Sequence, residues 1–142
     1  SAASDVYKRQ ILESCIKILF SDANFSRIFN KRKPTTDHWM DFSIGSSACH
    51  IAVSQIQKRK AVDVELYIND DKELFKSLFA HKDEIEKNME MELEWKELPE
   101  RKASRILIEK TVDLDDRATW PEQFDYIMDT CIKMKRAFKR YL

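Results

Sequence analysis

A single glycine, Gly45, serves all 142 residues, where average usage near 7% would supply about ten. Glycine lets the backbone take positive φ cheaply and lets a phosphate approach the main chain closely. Neither G-x-G-x-x-G nor G-x-x-x-x-G-K-[ST] can be written with one glycine. Dinucleotide-binding and P-loop nucleotide chemistry are therefore excluded.

The residues before Gly45 alternate, with Met40, Phe42 and Ile44 set against Asp41 and Ser43, the period of a half-buried strand. This pattern predicts a hairpin turn at Gly45-Ser46-Ser47. A second strand is expected over His50 to Gln57 and a turn at Lys58-Arg59-Lys60. The third strand has Val62, Val64, Leu66 and Ile68 on one face and Asp63, Glu65 and Tyr67 on the other. Leu93 to Leu98 and Ser104 to Val112 read as strands four and five, joined by a turn at Pro99 to Lys102.

Helices flank these strands. Ile11, Leu12, Cys15, Ile16, Leu19 and Phe20 recur at three- and four-residue spacings, as one helix face does, with a short further turn over Phe25 to Phe29. Asp70 with Glu73 has capping-box spacing and predicts a helix start, continuing through Leu74, Phe75, Leu78, Phe79, Ile85 and Met89 to about Asn88. Thr119 with Glu122 predicts another, with Pro121 in the first turn and a buried stripe of Phe124, Ile127, Cys131, Met134, Phe138 and Tyr141. The order is α-β-β-β-α-β-β-α. Strands grouped between helices predict an α+β fold: two layers, a mainly antiparallel five-stranded sheet, and helices packed on one face.

One domain is the natural count at this length. Residues 1–10, SAASDVYKRQ, lack an initiator Met and an apolar period that carries on through Ile11 and Leu12. They resemble the translation of a sequencing adapter and are expected to be a non-native N-terminal segment ahead of a single domain over residues 11–142. On that expectation the natural protein continues upstream. Cys15, Cys49 and Cys131 are an odd set without a C-x-x-C pair, which predicts reduced thiols in a cytoplasmic protein rather than a disulfide framework.

Catalytic signatures are sparse. Cys49 and His50 are adjacent on a strand, so they point to opposite faces and cannot share a metal. No metal and no cofactor are expected. No G-x-S-x-G elbow marks a nucleophile. Asp41, Asp63 and Glu65 share the polar strand faces, but a nuclease would place a Lys two residues after the second carboxylate, where this chain has Tyr67. Asp41, Glu65, Lys96 and Arg105 are instead expected to form cross-strand ion pairs on a solvated face. The 25 Lys and Arg balance 25 Asp and Glu, so nucleic-acid binding requires local clustering. Lys31, Arg32 and Lys33 precede strand one, and Lys58, Arg59 and Lys60 join strands two and three. Up-and-down connections gather all six at one end of the sheet, where they would hold phosphates in a salt-dependent manner.

Four segments, WMDFSIG (39–45), VELYINDDKELF (64–75), LEWKELPERKASRI (93–106) and DDRATWPE (115–122), occur in an order that resembles the bacterial and archaeal family known as domain of unknown function 4268. The likeness runs from about Phe25 to Leu142. It implies a C-terminal domain that accompanies a nuclease-like, nucleic-acid-binding domain, with no reaction attached to it. The polar members of the shared segments are Asp41, Ser43, Glu65, Lys102, Ser104 and Arg105. The expected function is a non-catalytic accessory module that binds nucleic acid, in the C-terminal part of a larger nuclease-like or defence-type protein. The alternative is a protein-interaction or dimerisation domain. The expected partners are nucleic acid and an upstream nuclease-like domain of the same native chain, with no membrane.

Overall fold

The computed structural model describes residues 2–31, 39–56 and 58–142. Helices α1 (Ala2–Ser21) and α2 (Ala23–Ile28) lead into β1 (Trp39–Ser43), β2 (Cys49–Ile56) and β3 (Ala61–Ile68). Then come α3 (Lys72–Phe79), α4 (Lys82–Met89), β4 (Glu94–Lys96), β5 (Ser104–Thr111) and α5 (Trp120–Lys139). The strand order is β1-β2-β3-β5-β4 and every neighbouring pair is antiparallel. The expected α+β class stands. β5 inserts between β3 and β4, so the chain crosses from β3 to the far edge through α3 and α4 and returns by a hairpin.

The helices lie on one face. Met40, Phe42, Ile44, Ile51, Val53, Val62, Val64, Leu66, Ile68 and Ile106 point toward them and are essentially inaccessible. They pack with Ile11, Leu12, Leu19, Phe25, Phe124, Ile127 and Phe138 into one core. Phe42 sits among the rings of Phe20, Phe25 and Phe29 at centroid separations of 6.1, 5.6 and 5.5 Å. Cys15, Cys49 and Cys131 are free and buried. Burial holds the thiols of Cys15 and Cys131 far above their ordinary range, which suits small hydrophobes.

Several boundaries depart from expectation, each for a local reason. α1 begins at Ala2 rather than near Ile11. Within the segment set apart as non-native, the Tyr7 hydroxyl donates to the Leu114 carbonyl at 3.2 Å and its ring meets Trp120. The helix expected to start behind Asp70 is capped one residue later. The Asp71 carboxylate accepts from the Leu74 N–H at 2.9 Å. That helix is also two helices, broken at Ala80-His81. Leu78 and Ile85 are seven residues apart and keep the same face, so periodicity hides the break. Thr119 does not cap α5; its hydroxyl donates to the Asp116 carbonyl at 2.7 Å and accepts from Gln123 Nε2 at 2.6 Å. A 3-10 turn over Arg117–Thr119 precedes the helix, with the Asp116 carboxylate accepting from Ala118 N–H. β4 is shorter than expected. At its start the Leu93 N–H turns away to Glu86, and beyond its end Leu98 takes a φ of 55°. Among the described residues no helix is long and apolar enough to cross a membrane.

Candidate binding face

Among the described residues, the second face of the sheet carries no helix. The register places side chains on it in rows: Asp41, Ala52, Glu65, Leu107 and Glu94 in one, Ser43, His50, Tyr67, Arg105 and Lys96 in the next. A third row holds Ser54, Asp63 and Glu109. This is the polar half of each alternating strand, as expected. It is less solvated than expected at its centre, where Asp63 is only 2% accessible and Glu65 5%. Long side chains from the strand ends lie across these carboxylates and remove them from water.

Two arginines provide that cover. Arg105 Nε reaches Glu65 Oε2 at 2.5 Å, and a terminal nitrogen lies 3.8 Å from Asp63 Oδ2. Arg59 grips Glu109 with both ends of its fork, at 3.2 and 2.9 Å, and lies 4.0 Å from Asp63 Oδ2. Asp63 Oδ1 has no hydrogen-bond partner. Asp63 and Glu109 also face each other directly across the β3–β5 ladder. Burial first, and then the neighbouring Glu109 carboxylate, push the Asp63 carboxyl up to about 7. Glu109 moves the other way, held down chiefly by Arg59.

The expected ion pairs form in part. Glu65 and Arg105 pair as anticipated, whereas Lys96 reaches Glu94 at 3.5 Å and Asp41 lies 3.5 Å from His50 Nε2. Ser43 keeps to its turn, its hydroxyl accepting from Gly45 N–H at 3.2 Å. Ser104 and Lys102 are away from this face. Ser104 is fully buried on the helix side and its hydroxyl donates to the Glu97 carbonyl at 2.8 Å, while Lys102 is exposed in the β4–β5 turn.

Of the six basic residues expected to form one patch, Arg32 and Lys33 lie outside the described residues. Lys31 is exposed. Lys58 and Lys60 are exposed at the β2–β3 turn and make no ion pair among the described residues. Arg59 pairs with Glu109, with its side chain 59% exposed. The register does place the start of β1 beside the end of β2, near that turn, as expected.

Two of the sequence candidates, Asp41 and Glu65, meet residues that sequence reasoning passed over. Asp41, His50, Ala52, Ser54, Glu65 and Tyr67 line a depression of about 370 Å³ on the open face. Asp41 and Glu65 are both register partners of Ala52, so the alanine methyl is the floor and the two carboxylates are opposite walls. His50 and Tyr67 close one end, their rings 5.3 Å apart. Alternation gave the face of each residue, but only strand order brings β1, β2 and β3 together in this way. Lys72 is the other omission. Its Nζ lies within hydrogen-bond distance of the carbonyls of Glu97, Leu98 (3.0 Å) and Ala103 (2.9 Å) and of Ser104 Oγ (3.0 Å), sharing its three N–H donors among them. It thereby holds the β4–β5 turn, including the left-handed Leu98, a conformation costly for a bulky side chain.

No curated protein and no solved structure matches the chain at a significant level. A family model does match, over residues 8–142. The shared segments are thus spread over the whole sheet and the helices behind it, and the chain belongs to the family described as domain of unknown function 4268 (DUF4268).

Proposed function

We propose that this domain is a non-catalytic accessory module that docks another polypeptide on the open face of its sheet. One observation carries the reading. Among the described residues one face of the five-stranded sheet lacks a helix, yet its apolar residues are shielded and its polar groups converge around a depression. The face also tilts acidic, with Asp41, Asp63, Glu65, Glu94 and Glu109 against Arg59, Lys96 and Arg105. That balance favours a protein surface over a polyanion. In this reading the partner is a nuclease-like domain. Three free, buried cysteines suit a reducing, cytoplasmic setting.

Lys58 and Lys60 support a second reading, nucleic-acid binding at the β2–β3 turn. One experiment separates the two. The domain is titrated with a nuclease-like partner polypeptide, and separately with DNA and RNA at about 50 mM salt, where phosphate contacts are strong. Saturable binding to the polypeptide that Ala52→Arg abolishes and Lys58→Glu plus Lys60→Glu leaves intact supports the docking face. Binding only to nucleic acid, lost in the lysine double variant and kept in Ala52→Arg, replaces it with the second reading.

A further inference from the structure

The depression around Ala52 has a shape and charge that specify what enters it. Antiparallel strands lie about 4.8 Å apart, so the Asp41 and Glu65 backbones stand roughly two strand spacings apart with only a methyl group between them. The gap admits a flat, narrow group. Glu65 has one carboxylate oxygen bound to Arg105, is largely buried, and lines the depression. Asp41 is 22% exposed, with one oxygen 3.5 Å from His50 Nε2. The Ser54 and Tyr67 hydroxyls make no hydrogen bond to the protein among the described residues and add acceptors on the rim. The site therefore presents two anionic walls, two hydroxyls and an aromatic end formed by His50 and Tyr67.

We infer that the depression between Asp41 and Glu65 receives an arginine side chain of the docked polypeptide. Among protein cations, a guanidinium is planar, donates in a fork to carboxylates, and stacks on aromatic rings, whereas an ammonium is a compact, strongly hydrated point charge. Arg59 already makes the forked contact, on Glu109, and Arg105 makes a single one on the opposite side of Glu65. The depression is open and shallow, so it fits the end of a side chain presented from a surface better than a free small molecule requiring enclosure. This inference rests on the docking reading and names the partner chemistry of the same site.

The test uses the domain labelled for NMR and N-acetyl-arginine methylamide as the probe, with the citrulline and lysine analogues as controls. The arginine probe is expected to bind in the millimolar range and to shift the amides of Asp41, His50, Ala52 and Tyr67. Citrulline, isosteric and neutral, should produce no shift, and lysine should bind several-fold more weakly. Asp41→Asn should weaken the arginine probe about tenfold, the usual scale for one charge-assisted hydrogen bond. Glu65→Gln disturbs the bond to Arg105, so Ala52→Leu, which fills the gap without touching a charge, is the second variant and should eliminate binding. Equal shifts from citrulline, or arginine-induced shifts elsewhere on the domain, overturn the inference. Should the partner polypeptide dock in an Ala52→Arg-sensitive manner while the arginine probe fails, the docking face survives and only its arginine occupant is lost. If the partner binds away from this face, both fall.

Discussion

The two faces of this sheet are built from the same strands, and neighbouring residues along β3 have opposite fates. Val62, Val64 and Leu66 meet helices and pack by volume. Asp63 and Glu65 meet no helix, yet are nearly as inaccessible. The covered face excludes water with other elements of the fold, the open face with the sheet's own arginines. Burial by helices is additive and insensitive to pH. Burial of carboxylates under guanidinium groups depends on charge, and it leaves Asp63 Oδ1 unpartnered with Glu109 directly opposite.

The largest effect expected belongs to the covered face. Phe42→Ala removes a ring that is 1% accessible and touches three other phenylalanines. Such a cavity costs about 3–5 kcal/mol. Urea denaturation at pH 7 measures it, and the cost should be unchanged at pH 5 and pH 8. A loss below about 1 kcal/mol, or one that varies with pH, would break the contrast between the faces.

The open face should answer to pH with a definite sign. The Asp63 carboxyl is raised in the fold from its ordinary 3.8 to about 7. The folded state therefore holds a proton that the unfolded chain releases, and this contribution to stability falls as pH rises from about 4 to about 7. The lowered Glu109 acts in the opposite direction, contributing above its unfolded value and fading in acid. Asp63→Asn deletes the first dependence while keeping shape and hydrogen-bonding groups. At pH 8 it should raise stability by about 1 kcal/mol, roughly 2–4 °C in Tm, and the gain should shrink toward pH 5. Calorimetry across that range decides it. A variant less stable than the parent at pH 8 would mean that the two arginines more than offset the burial of the charge.

This contrast also explains what was legible beforehand. Strand alternation requires only a period of two, so the faces of β1, β2 and β3 and the α+β class come from local pattern. Gly45, with a φ of 86°, takes the left-handed turn that its place between two strands predicts. Strand order is not local. Nothing in the run from Glu94 to Lys96 says that β5 will slip between it and β3, and the proximity of Arg105 to Asp63 depends on that insertion. The same holds for Arg59, which reads as part of a basic turn until β5 brings Glu109 beneath it. Asp71, rather than Asp70, caps α3 because the chain bends over Asn69 and Asp70 before the helix starts at Lys72, a choice two adjacent aspartates conceal. His50 and Tyr67 fall on the correct face by alternation alone, but their joining Asp41 and Glu65 around Ala52 requires three strands in register.

The smallest effect is the sharpest discriminator between the faces. Ala52 is 6% accessible, and by accessibility alone Ala52→Leu resembles a core overpacking that would cost about 1–3 kcal/mol. Its Cβ, however, points into the depression between Asp41 and Glu65, where a larger side chain has room to extend. The urea midpoint should move by no more than about 0.5 kcal/mol, as for ordinary surface substitutions. Adjacent Val53 faces the helices and is wholly buried, so Val53→Leu should carry the overpacking cost that Ala52→Leu escapes. Equal penalties at the two positions would mean that the open face is packed as a core is, with no space for an incoming side chain. A neutral Ala52→Leu, beside a costly Val53→Leu, locates the vacancy on one side of β2 alone.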